Sequence, residues 1–546
     1  MTTYIHSFPV PRIFFLIFVL GFCSSPLTAS DYDRVTVDKP DMVVGIVVDK
    51  MRYDYLSRMW DVFDEGGFKR LFNEGSSFSN ARYDFLVNQS SAGYATIFTG
   101  ANPSAHGIIA DHWFNRLGTE IRSGVYDENY VAVGGSFDLG KRSPAALLTA
   151  TIGDELRMAN DFRSRVFSVS MNDAAAILSG GFSANAAWWF DPVNGSWMTS
   201  SYYLDSLPSW VMDFDSLMLP DTYLDRSWEP LYDYSYYFGA ENDSADLLPF
   251  SYDLKRLSRE RGNYEIMFDV PQGNTLTKDF ALSLIQNEQL GKGNSTDMLI
   301  IGFSATSNID NKYGTFSKEL QDAYLRLDRE IEHLLNYFDD NFGKSNVLVY
   351  LTSDQSVAYP YSYNQQARIP VGTFSPAMAM ALLRSYLNIT YGREDLVSAY
   401  NAGMVYLDHN LIEDNNIPLH EIQNRSSRFL NQFSGVAGTV TEDVLRRNFF
   451  SDGIPSMIQA GFHPKRSGDI MIYLQQGWYE RGFSDNRLTL TSYDQHVPLV
   501  FYGWNMESMN IGRPVSVSDI APTISIMLNI PLPHFSTGSP ITEILR

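Results

Sequence analysis

The sequence predicts an α/β protein built on a doubly wound sheet, and three observations carry that reading. Short runs of β-branched apolar residues recur along the chain, at 43–48, 166–170, 298–303, 347–351 and 497–502. Runs this short and apolar read as buried strands, and those without polar alternation as strands buried on both faces; only 166–170, with Ser168 and Ser170, alternates. Between them lie helical patterns, the clearest at Leu320, Tyr324, Leu327, Ile331, Leu334 and Phe338, which line one face of a long helix. Two of the runs also end on acids, Asp49 and Asp354. In an open α/β sheet, ligands sit outside the carboxyl ends of the strands, so both acids are candidate metal ligands.

The first thirty residues read as a secretory signal peptide. Arg12 is their only charged residue, and residues 13–22 are almost wholly apolar, enough for a signal core and too short to span a bilayer. Thr28, Ala29 and Ser30 are small residues suited to cleavage. Cys23 is the only cysteine, so a mature chain would have neither disulfides nor a thiolate site. The expected location is the bacterial periplasm or cell surface, with no membrane-spanning segment in the mature chain. A net charge of −22 argues against nucleic acid as a partner.

Taken in order, residues 31–185 read as the first part of the sheet core, with helical spacing at 145–158. From Trp188 to Phe238 aromatic residues crowd together among turn-formers, so 186–290 reads as an inserted cap, with Trp188 and Trp189 as candidate sugar-stacking rings. Core grammar returns at 291–365. Residues 366–480 read as a second inserted α+β subdomain, with strands at 404–407 and 470–474 around a helix near 422–433. Residues 481–546 close the core.

The chemistry concentrates at the strand ends. Ser90 opens the helical stretch SSAGYATIFTG, followed by Pro103 and the run His106, Gly107, Ile108. A hydroxyl at a helix start beside paired acids is the layout of a metal-activated nucleophile.

At these residues the sequence resembles the alkaline phosphatase superfamily, above all the periplasmic phosphate-irrepressible (PafA-like) alkaline phosphatases and the related type I phosphodiesterase/nucleotide pyrophosphatases. The resemblance runs through VVDKMRYD at 47–54, Thr99–Gly100 with 106–108, TIGDEL at 151–156, YLRLD at 324–328, KRSGD at 465–469, YDQHVP at 493–498 and FYGW at 501–504. It implies an alkaline-phosphatase-like fold and a two-zinc phosphohydrolase. In that chemistry a Ser or Thr alkoxide attacks phosphorus to form a phospho-enzyme.

Carried over residue by residue, the implied site is broken. Asp49 and the nucleophile position Ser90 are present. The Asp-His pair of one zinc reads Asp354-Gln355. At the other zinc, the ligand positions hold Ser307, Asn311 and Arg487. The phosphate-contacting Asn becomes Asp111, and the contacting Lys and Arg become Asn172 and Ala174. A phosphate dianion about 4 Å from a carboxylate is repelled by several kcal/mol at intermediate dielectric. Two cations are new: Lys50, where the family usually has Gln, and Arg487. Either can replace metal charge by pairing with Asp49 or Asp354.

The expectation is therefore an exported pseudoenzyme that binds a protein or glycan partner in the cell envelope. One divalent ion, zinc or magnesium, at Asp49, Ser90 and Asp354 is the only cofactor these residues suggest, and the corresponding alternative is an altered phosphomonoesterase or phosphodiesterase with Ser90 as nucleophile. A surface glycan-binding protein is a second alternative.

Overall fold

The computed structural model describes residues 39–87, 89–237, 249–481 and 495–545. The expected signal peptide, Cys23 and Arg487 lie outside them.

Eleven strands form the main sheet: β1 (Met42–Val48), β2 (Ser76–Arg82), β3 (Ala132–Val133), β4 (Val166–Ser170), β5 (Ala186–Asp191), β6 (Ser196–Ser200), β7 (Asp297–Phe303), β8 (Val347–Thr352), β9 (His496–Gly503), β10 (Met509–Ile511) and β11 (Val515–Ser516). Their spatial order is β10-β2-β9-β8-β1-β7-β4-β5-β6-β3, with β11 also on β2. β1 lies parallel between β7, paired from Met42 to Val48, and β8, paired from Met42 to Val47, and β7, β4 and β5 continue the parallel block. β9 runs antiparallel to both β8 and β2.

Every residue of β1 is buried, and its side chains alternate between two cores. Val44, Ile46 and Val48 join one apolar cluster with the long helix at 318–342. Val43 and Val47 join the other, with the helices at 90–99 and 520–527. Burial on both faces is what a doubly wound sheet requires. The parallel block brings the carboxyl ends of β1, β4, β7 and β8 to one edge, which places Asp49, Asn172, Ser304 and Ser353-Asp354 there.

Two boundaries differ from the sequence reading. Trp188, Trp189 and Phe190 belong to strand β5 of the main sheet, and β6 follows in the same sheet. The inserted cap therefore does not begin at 186. The aromatic run is dense because the two tryptophans go to opposite cores, Trp188 to one and Trp189 to the other. Their relative exposures are 0% and 2%, so neither ring can meet a sugar while the strand is paired. The helical spacing at 145–158 forms a helix only from Ile152 to Ala159, because Thr151 and Asp154 close a capping box there.

The second insertion builds its own four-stranded antiparallel sheet from Val397–Asn401, Met404–Leu407, Val436–Thr441 and Ile470–Leu474. A separate apolar cluster packs it against the helices Pro376–Tyr391 and Leu419–Leu430. No helix among the described residues is long and apolar enough to cross a membrane.

His106 is a fully buried support of this scaffold. Its Nδ1 accepts from the Ile108 amide at 3.0 Å, and its Nε2 lies 3.0 Å from Thr96 Oγ1. Burial, with Arg466 nearby, lowers its pKa to about 3 from 6.5. A depressed pKa means the unfolded chain binds the proton more readily, so this contribution is present above 6.5 and lost as pH falls toward 3. Urea unfolding across that interval should show a smaller loss of stability for His106→Gln than for the parent. Parallel pH profiles would count against the role.

Candidate active site

The nucleophile-position helix is α1 (Ser90–Thr99). Its residues from Ser91 to Thr99 are all buried, so it is held by packing on every side and not by an amphipathic stripe. Its N-cap, Gln89, makes no side-chain cap. The cap comes from a distance: Asp111 Oδ1 accepts from the Ser91 amide at 2.8 Å, and Gln89 Oε1 accepts from the Asp111 amide at 2.9 Å. Asp111 and Gln89 thus bracket Ser90, which is half-buried at the helix mouth.

Two turns complete the cluster. After β1, Asp49 is held by its own amide on Phe303 O (3.0 Å), by Thr306 Oγ1 on its carbonyl (3.1 Å) and by the Tyr94 hydroxyl on Oδ1 (2.7 Å). Lys50 follows with φ 58, a left-handed conformation that is costly for a residue with a Cβ. That conformation aims its backbone amide at Asp354 Oδ1, 2.8 Å away. Its side-chain Nζ donates to Asn311 Oδ1 at 2.9 Å. After β8, Ser353 Oγ accepts from the Met51 amide at 2.9 Å and donates to Gln355 O at 2.7 Å. Tyr83 donates to Ser353 O at 2.7 Å.

Asp49 and Asp354 are 4% and 0% exposed. Burial pushes the Asp49 pKa well up, and the neighbouring Asp354 pushes it further; Tyr94 and Lys50 pull it back. Burial also raises Asp354, to about 6, against the favourable pull of Ser90 and Lys50. Asp111 raises both. Among the described residues, Asp49, Asp354 and Asp111 thus repel one another, and the Lys50 ammonium offsets part of that. The Ser90 hydroxyl is close enough to favour ionised Asp354, while Asp354 Oδ2 is buried without a well-formed hydrogen bond.

The remaining positions divide. Ser307 and Asn311 lie on α3 (Ala305–Tyr313), which follows β7 at the same edge. Gln355 is buried next to Asp354. Asn172 plays a structural part, since its Oδ1 caps α2 (Asp173–Gly180) by accepting from the Ala175 amide at 3.1 Å. Ala174 sits in the first turn of the same helix, which packs on α1.

Sequence reasoning assigns no role to Tyr94, Tyr83, Thr306 or Ser353. Tyr94 has a legible signal, since it stands four residues after Ser90, on the same side of the helix. The other three act through loop geometry that spacing does not encode.

The type I phosphodiesterase / nucleotide pyrophosphatase family model matches residues 43–496. The chain belongs to that family. Its relatives extend over nearly the full length. "Calcium-transporting ATPase" of Myroides odoratus is 36% identical over 525 residues, covering 93% of this chain and 95% of that protein. Alkaline phosphatase PhoV of Synechococcus elongatus is 34% identical over 544 residues, covering 96% and 98%. Alkaline phosphatase PafA of Elizabethkingia meningoseptica is 33% identical over 527 residues, covering 93% and 95%. The crystal structure of wild-type PafA superimposes with a TM-score of 0.87 at 32% identity, covering 93% of this chain and all of that one. This type I phosphodiesterase family member therefore has the fold of the alkaline phosphatase superfamily.

At some of the described positions that the resemblance gives to the two zincs, the side chains differ from the implied ligands. Ser307, Asn311 and Gln355 offer no imidazole or carboxylate, and the Asn311 oxygen already accepts from the Lys50 ammonium. A divalent ion, were one bound, would be held by Asp49, Asp354 and the Ser90 hydroxyl, all through oxygen.

Proposed function

We propose that this protein keeps the phosphohydrolase fold without two-zinc phosphoester hydrolysis, and acts in the bacterial cell envelope by binding a protein or glycan partner. One observation carries the reading. Lys50 spans the cluster, with its amide on Asp354 and its ammonium on Asn311, so a resident cation stands among the residues that the family gives to metal. Asp111 supports it, because it sets a third carboxylate beside the nucleophile position. The envelope location rests on the signal-like residues 1–30.

A second reading is favoured by a specific observation. Ser90, Asp49 and Asp354 come together at the mouth of α1, and the named relatives PhoV and PafA are alkaline phosphatases. In that reading one divalent ion would lower the pKa of the Ser90 hydroxyl and offset the charge of the substrate. The chain's own part is to orient Ser90 through the Asp111 and Gln89 bracket, and to hold Asp49 through Tyr94.

One experiment separates the two. Metal-stripped protein is reconstituted with zinc or magnesium and assayed on a phosphomonoester and a phosphodiester, with Ser90→Ala alongside. The expected result is the same background turnover in both proteins. Metal-dependent turnover abolished by Ser90→Ala would establish the second reading in place of the first.

A further inference from the structure

A second cluster of ligating side chains lies in the inserted subdomain, outside the candidate active site. We infer that His409, Glu442 and Asp469 form a binding site for a transition-metal ion such as zinc, which would pin the inserted sheet. His409 opens the helix His409–Asp414, Glu442 opens the helix Glu442–Arg447, and Asp469 immediately precedes the strand Ile470–Leu474. One ligand atom from each lies within 4.8 Å of the others, a separation that a single ion with bonds near 2 Å can span after a small contraction.

The way the carboxylates are held supports an ion site. Asp469, fully buried, uses Oδ2 to accept from Arg116 Nη2 and the Leu407 amide, at 2.8 and 2.7 Å. Its Oδ1 faces His409 Nε2 at 2.6 Å. Glu442 likewise engages Arg446 through Oε1 at 3.0 Å and turns Oε2 inward. Each acid is thus gripped from behind by an arginine while its other oxygen faces the common space. Outer partners of this kind orient metal ligands. One imidazole with two carboxylates is a donor set that suits zinc better than calcium or magnesium.

Gln423 is the independent observation. It is 2% exposed, and its Nε2 reaches both inward oxygens, Asp469 Oδ1 at 3.2 Å and Glu442 Oε2 at 3.4 Å. Its Oε1 is buried with no hydrogen-bond partner. A half-turn of the amide would bring Oε1 against two carboxylates, which is unfavourable alone and favourable around a cation. Gln423 would then be the fourth ligand. Ion binding also requires His409 to present the Nε2 lone pair, so the Nε2 proton moves to Nδ1 or leaves, and the affinity falls with falling pH.

The test uses the full chain carrying Asp49→Asn, which weakens the candidate active site as a competing metal site. Metal-stripped protein is titrated with zinc by equilibrium dialysis, and with Co²⁺ for its visible absorption. One equivalent should bind and raise the melting temperature. His409→Ala and Glu442→Gln, each in the same background, should weaken zinc by at least about tenfold and remove the tetrahedral Co²⁺ band. Two separate variants are used so that poor folding of one leaves the other to decide. Absence of bound zinc, or zinc held equally well by the variant that folds, would overturn the site and leave an ordinary ion-pair network. Neither outcome depends on whether Ser90 supports turnover.

Discussion

Lys50→Met should destabilise the protein by about 3 kcal/mol at pH 8, the order of loss expected when one partner is removed from a buried charge network. Methionine keeps the length of the stem and the left-handed backbone at this position, so the change isolates the ammonium. Asp49 and Asp354 would then lose the nearby positive charge that lowers their pKa, while Asp111 still raises both. The pH dependence has a defined sign. Asp354 sits near 6 in the fold against 3.8 ordinarily, so its favourable contribution is complete below 3.8 and lost as pH rises through about 6. Removing the lysine raises the folded pKa further. The deficit of Lys50→Met should therefore be large at pH 8 and small near pH 5. Zinc or magnesium should recover part of it at pH 8, by binding where the ammonium acted. Urea unfolding at the two pH values checks this. Equal stability at pH 8 would show that Lys50 does not balance the acids.

Gly93→Ala should cost about as much, by steric conflict instead of charge. A Cβ on Gly93 would stand 1.7 Å from the Asp354 carbonyl oxygen and 2.6 Å from its carbon. Both are backbone atoms of a turn fixed by the Lys50 amide, Tyr83 and Ser353. No side chain can swing aside, so either α1 or the turn after β8 must shift. Overpacking of this kind costs about 3 kcal/mol, and the shift would also move Ser90 relative to Asp354. A loss of under about 1 kcal/mol, within the range of tolerated core changes, would mean that the helix relaxes freely.

The sequence is most legible where burial alone decides the structure. β1, β7, β8 and β9 announce themselves as apolar runs because a strand covered on both faces has no polar alternation to obscure. The same rule explains the error at Trp188 and Trp189. Aromatic density suggests a cap, but large rings pack equally well on the two faces of a central strand, and composition does not distinguish these cases. The false start of the helix at 145 has a similar origin: apolar spacing extends beyond the point where Thr151 and Asp154 fix the first turn.

The site is legible as a set of positions and opaque as an arrangement. Asp49, Ser90 and Asp354 can be named because each stands at the end of a regular element. That Lys50 divides its amide and ammonium between Asp354 and Asn311 depends on one left-handed residue, and a lysine carries no sequence signal for that conformation. In the sequence, Asp111 reads only as a charge that repels phosphate. Its second role, completing the first turn of α1, emerges only when the loop after His106 folds back on Ser91.

That cap has a consequence for any anion that approaches Ser90. Amides at the start of a helix such as α1 are natural seats for phosphate oxygens, and here the Ser91 amide already holds an anion supplied by the chain itself. A free ligand would have to compete with a tethered one, whose effective concentration is of millimolar order or above. Asp111 therefore acts as a resident competitor: it would weaken anion capture at the start of α1 whatever metal stands beside it.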